Sequence, residues 1–198
     1  MKITKQYVQD DYPLNFGEFP ETWRCETHGC GYTSLANCLY NLGFDVDPIA
    51  TAKMIFLDKD GNFDATYLVG NGTRYEGIIY ALDRYINEMK FPIEYYRMIV
   101  NFDHPEDQRK ELEDNLKNGY LAIIQIGPED IPGQAPRGHY SVISDVDDEG
   151  NFYIIDSDKN MAHTHMTTPF KYEFILKSLY GKRDKLNILF VRVIPVLD

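Results

Sequence analysis

Residues 28–43 constrain this chain more than any other stretch. They read His28-Gly29-Cys30-Gly31-Tyr32-Thr33-Ser34-Leu35-Ala36-Asn37-Cys38-Leu39-Tyr40-Asn41-Leu42-Gly43. Leu35, Cys38, Leu39 and Leu42 recur at helical spacing, so one face of a helix is apolar and buried. Gly43 ends that helix as a C-terminal cap. The glycines on either side of Cys30 form a tight turn that delivers the cysteine to the first helical turn. There, free backbone N–H groups and the positive end of the helix dipole favour a thiolate. Two readings compete: a small residue buried in a turn, or an activated nucleophile held on a rigid helix. The rest of the chain has to separate them.

At 198 residues and 43% hydrophobic content, the chain can bury one good core, and a single domain over 1–198 is expected. The net charge of −11 argues against a nucleic-acid backbone or an anionic membrane surface, and it is compatible with a basic substrate. The cysteines are Cys25, Cys30 and Cys38, an odd set that is no disulfide framework. Cys25, His28 and Cys30 do not have zinc-ligand spacing, so neither metal nor cofactor is expected. No run approaches the roughly 18 apolar residues of a membrane span. Residues 1–7 lack the apolar core of a signal peptide. The expected location is therefore the cytoplasm, or release without a signal peptide, or secretion with the leader missing from this sequence.

Residues 1–29 show no helical period and are punctuated by Pro13, Gly17 and Pro20. Their aromatics (Tyr7, Tyr12, Phe16, Phe19, Trp23) suit a segment packed across the domain. Asp47 and Pro48 start a short helix that runs to about Phe56. Residues 58–64 have the look of a calcium loop, but the glycine is misplaced and no closing glutamate follows, so a surface turn is expected. Thr73-Arg74-Tyr75-Glu76 reads as a capping box opening a helix that buries Ile78, Ile79, Leu82 and Ile86. A strand over 93–100 and a helix over 103–118 follow.

Residues 120–126 form a continuous apolar run, the mark of a strand covered on both faces. After a proline- and glycine-rich loop over 127–138, strands at 139–144 and 152–156 are joined by the turn at 147–151. A helix near 170–180 and a strand over 187–194 close the chain. Helices first and antiparallel strands second indicate an α+β fold.

Nucleophilic catalysis at a cysteine needs a histidine to share its proton, a group that orients the histidine, and an oxyanion donor. His139 stands where the loop enters an apolar strand, a position from which a ring can face a cleft. His28, His104, His163 and His165 suit ordinary surface placement. Asp156 ends the strand that follows, so hairpin pairing would bring it near His139. Asp156-Ser157-Asp158-Lys159 is equally good turn chemistry, and local sequence leaves both readings of Asp156 open.

Several stretches together resemble the papain-like cysteine peptidases, in particular the branch of double-glycine leader peptidases found in bacteriocin exporters. They are Gln9-Asp10-Asp11-Tyr12-Pro13, Gly29-Cys30-Gly31-Tyr32-Thr33-Ser34-Leu35-Ala36, Leu42-Gly43, Pro48, Gly138-His139 and Asn151-Phe152-Tyr153-Ile154-Ile155-Asp156. The resemblance spans about residues 6–160. It implies a helical half led by the Cys30 helix, packed on an antiparallel sheet. It also implies Cys30 as nucleophile, His139 as base and acid, Asp156 as the orienting residue and Gln9 as oxyanion donor. Tyr32 and Ser157 stand where that branch commonly has proline, and the tryptophan often found after the Gln-Asp pair is absent.

The activity so implied is hydrolysis of a peptide or other amide bond through a thioester, with a peptide or protein substrate and no cofactor. The same residues would also serve acyl transfer, deamidation or cleavage of a peptidoglycan cross-link. A different class, a binding module with an idle site, has no reason to keep all four residues.

Overall fold

The computed structural model describes residues 6–12, 19, 29–69, 72–100, 102–126, 138–158, 168–179 and 187–195. Helix α1 (Cys30–Asn41) starts at the cysteine itself and buries Leu35, Ala36, Cys38 and Leu39 completely. Its end is the left-handed glycine the sequence calls for: Gly43 has φ +99°, its N–H donates to Tyr40, and the Phe44 N–H donates back to Leu39. Helix α2 (Pro48–Phe56) has proline in its first turn, and the Asp47 carboxylate accepts the Ala50 N–H at 2.7 Å. The Asp58 carboxylate closes the next turn by accepting the N–H groups of Asp60 and Asn62, with Gly61 at φ +81°.

Helix α3 (Tyr75–Asn87) departs from expectation at its start. Its N-cap is Arg74, without a side-chain cap, so Thr73 opens no capping box. Thr73 is instead drawn into a short ribbon, β1 (Leu68–Val69) against β2 (Gly72–Thr73), where it pairs with Leu68. The helix fully buries Ile78, Ala81 and Leu82, while Ile79 and Ile86 are only partly covered.

The remaining strands are β3 (Ile93–Ile99), β4 (Leu121–Ile126), β5 (His139–Val146), β6 (Asn151–Asp156), β7 (Phe170–Lys171) and β8 (Asn187–Val193). Helix α4 (Pro105–Lys117) precedes β4, and α5 (Tyr172–Ser178) follows β7. Among the described residues the strands β3 to β8 form one sheet in the order β3-β8-β4-β5-β6-β7, antiparallel at every pairing.

The pleat explains the apolar run in β4. Leu121 and Ile123 face one core with α1, α2 and α3; Ala122, Ile124 and Ile126 face a second core with Leu112 and Leu116 of α4 and Ile175 of α5. Both faces are dry because helices cover both. Each fully buried Leu or Ile contributes roughly 1.5–3 kcal/mol relative to exposure. The first core is the one that fixes α1, and with it Cys30, against the sheet.

Candidate active site

Cys30 is the first residue of α1 and is half-buried, with Gly29 as N-cap. Gly31 is there for space. A Cβ at this position would stand 2.6 Å from the Cβ of Thr73, closer than carbon atoms approach, so the ribbon β1–β2 can press on the first turn of α1 only where the side chain is a hydrogen.

His139 begins β5. One residue on, the backbone oxygen of Tyr140 accepts the buried Ser34 hydroxyl at 2.8 Å, which fastens the N-terminal part of α1 to the start of β5. The thiol of Cys30 and the imidazole of His139 are thereby held within hydrogen-bonding reach. Nε2 of His139 stands 2.6 Å from Oδ1 of Asp156, so the ring nitrogen left for the sulfur is Nδ1.

The hairpin does not set His139 directly opposite Asp156. Asp156 pairs with Ser141, and His139 is reached diagonally, two residues further along the same side of β5. Asp156 is fully buried, which demands partners for both oxygens. Oδ1 takes His139 and the Asp158 N–H at 2.9 Å, and Oδ2 takes the Ser141 hydroxyl at 3.1 Å. Asp156 thus meets both the His139 ring and the N–H of the turn that follows it.

Burial alone would push the Cys30 thiol up, but the hydrogen bond and positive charge of His139, with the Tyr140 backbone, outweigh it and leave the thiol below its ordinary range. Burial likewise works against the charged form of His139. The carboxylate of Asp156, followed by Cys30, reverses that and holds the imidazole well above its usual value. Both directions favour the charged pair over the neutral one. Cys38 makes the contrast: it is fully buried, and desolvation pushes its thiol up.

Gln9 begins a 3-10 turn (Gln9–Asp11) and is buried. Its N–H donates to the Ser157 oxygen at 2.9 Å, next to Asp156, and its side-chain oxygen faces the Ser157 hydroxyl at 3.5 Å. Tyr7 and Phe19 are buried and Tyr12 partly so. Phe16, Trp23, Cys25, His28, His163 and His165 are outside the described residues, and His104 is exposed at the start of α4.

Sequence reading passed over Ser141 and Asn37. Ser141 carries a faint signal, since it shares the His139 face of β5. A polar residue in the middle of a helix, as Asn37 is, reads as solvent-facing, yet Asn37 is fully buried. Among the described residues no group of His, Cys, Asp and Glu is placed to hold a metal ion, and no helix is long and apolar enough to cross a membrane.

The sequence profile of the Peptidase_C39 like family matches residues 4–182. A crystal structure described as a C39-like peptidase from Bacillus anthracis superposes with a TM-score of 0.59 at 16% identity, over 97% of this chain and 95% of that one. At that identity the likeness is one of fold, an α+β arrangement of helices on an antiparallel sheet. No curated protein matches the sequence.

Proposed function

The chain belongs to the Peptidase_C39 like family, and from that premise we propose that it cleaves a peptide bond by forming a thioester on Cys30. The observation that supports this most is the chain of contacts from Cys30 through His139 to Asp156, with the thiol lowered and the imidazole raised.

In this reading the Cys30 proton resides on Nδ1 of His139, and Asp156 keeps the ring oriented through Nε2. The thiolate attacks the carbonyl carbon of a bound peptide. The oxygen that becomes negative is met by the Cys30 backbone N–H and by Nε2 of Gln9. Nδ1–H then protonates the departing amine, which leaves the acyl group on sulfur. A water molecule gives its proton to His139, adds to the thioester carbonyl, and expels the thiolate, which restores the starting state. The substrate class is a peptide or protein.

The test is digestion of a fluorogenic peptide library by the wild-type protein and by Cys30→Ala. The reading expects cleavage by the former and, in the variant, less than about one part in a thousand of it, since removal of a nucleophile leaves only binding and oxyanion effects. Turnover retained in Cys30→Ala would overturn it.

A further inference from the structure

We propose that Asn37 is a positioning residue that holds Gln9 in the site through the backbone of Tyr7; the inference rests on the reading of Gln9 as an oxyanion donor. Asn37 sits two turns beyond Cys30 on α1 and is fully buried. A buried side-chain amide is costly unless both its ends are satisfied. Both are spent on one residue of the N-terminal segment: the Tyr7 N–H donates to Oδ1 at 2.6 Å, and Nδ2 donates to the Tyr7 oxygen at 3.0 Å. The amide thus plays the part of a neighbouring strand.

Two residues on, the chain is fastened to the opposite wall. The Gln9 N–H donates to the Ser157 oxygen, and the Gln6 side-chain amide donates to the Asp156 oxygen. Segment 6–9 therefore bridges the helix that carries Cys30 and the end of the strand that carries Asp156. Asn37 is a polar fastening of it to α1, while the Tyr7 ring stands nearly perpendicular to that of Tyr40, centroids 5.4 Å apart.

The contact between Cys30 and His139 has a separate fastening, from Ser34 to Tyr140. Loss of Asn37 should thus release Gln9 and spare the thiolate. Asparagine alone fits the role: alanine supplies neither bond, and aspartate keeps the acceptor for the Tyr7 N–H but turns an oxygen toward the Tyr7 oxygen.

The test compares Asn37→Ala, the isosteric Asn37→Asp, Gln9→Ala and the Gln9→Ala/Asn37→Ala double variant. Readouts are steady-state kinetics on a peptide the wild type cleaves, alkylation of Cys30 by iodoacetamide at about pH 6, below the ordinary thiol range, and amide hydrogen exchange. The Asn37 variants should lose about tenfold or more in kcat with KM within about twofold, and the double variant should be no slower than Gln9→Ala alone. Cys30 should alkylate at the wild-type rate, whereas the Gln9 amide should exchange at least about tenfold faster.

A kcat near wild type in both Asn37 variants, losses that multiply in the double variant, or slowed alkylation would overturn the assignment. The exchange measurement needs no turnover. If the wild type cleaves nothing, the peptidase reading falls, and an unchanged Gln9 amide in either variant would overturn the role of Asn37 by itself.

Discussion

His139 and Asp156 meet because Ser144 bulges out of β5. Near the turn, Val146 pairs with Phe152 and Asp145 with Tyr153; beyond the bulge, Ile143 pairs with Ile154 and Ser141 with Asp156. Continued without that extra residue, the register would set Asp156 opposite Val142, whose side chain belongs to the other core. The bulge turns a hairpin that would separate the two groups into one that joins them.

In the proposed mechanism that geometry gives Asp156 an orienting role, and its variants should show a graded effect. Asp156→Asn keeps an oxygen for Nε2–H of His139, and Asp156→Ala keeps none. We expect the asparagine variant to retain at least about tenfold more kcat than the alanine variant, against the roughly 10²–10⁴ that a positioned acid–base group supplies. Ser141→Ala, which removes the hydroxyl bond to Oδ2 and leaves the His139 bond in place, should lose less than either. Steady-state rates of the three variants on one peptide check the order.

The Cys30 helix, the Asp47 cap and the two-sided β4 were legible because each depends on neighbours close in sequence. Thr73 opens no capping box because it pairs with Leu68 across the ribbon, a strand pairing the four-residue motif does not encode. The bulge at Ser144 was invisible for a related reason: it exists only in the register between two strands, and neither strand encodes it alone. Asn37 hid because its polarity is answered by a backbone thirty residues away.

Gly31→Ala should damage the site from a distance of one residue. Alanine gains up to about 1 kcal/mol of helix propensity, but the new Cβ meets the Thr73 Cβ at 2.6 Å. Overpacking of that kind costs about 1–3 kcal/mol. The expected result is a lowered Tm and a lowered kcat, both recovered in part by Thr73→Gly in the same chain. Thermal melts and rates of the two singles and the double decide it; no recovery in the double would place the damage elsewhere.

Gln9→Ala should lower kcat by roughly 10²–10³ with little change in KM, the loss that follows removal of one oxyanion donor. A wild-type kcat in this variant would mean that the second donor is another group. Deletion of residues 1–12 should cost the same activity and more stability, because the buried Tyr7 ring leaves its contact with Tyr40.

Cys38→Ala should leave turnover intact and reduce stability by about 0.5–3 kcal/mol, as a cavity on the buried face of α1 does. Denaturant titration alongside the activity assay separates the two effects. An inactive but stable Cys38→Ala protein would move the chemistry away from Cys30.

The central claim is that Cys30 is a thiolate paired with an imidazolium. In this account the lowered thiol titrates below the raised imidazole, so the pair would exist between the two titrations: acid protonates Cys30 at its lower limit, and base deprotonates His139 at its upper limit. The most direct measurement is the pH dependence of iodoacetamide alkylation, read thiol by thiol by peptide mapping. The account predicts that Cys30 is modified rapidly at about pH 6, below the ordinary thiol range, while Cys38 stays protected in the folded protein. His139→Ala should move the Cys30 midpoint upward. A Cys30 that alkylates no faster than a simple thiol, with the same midpoint in wild type and His139→Ala, would contradict the account.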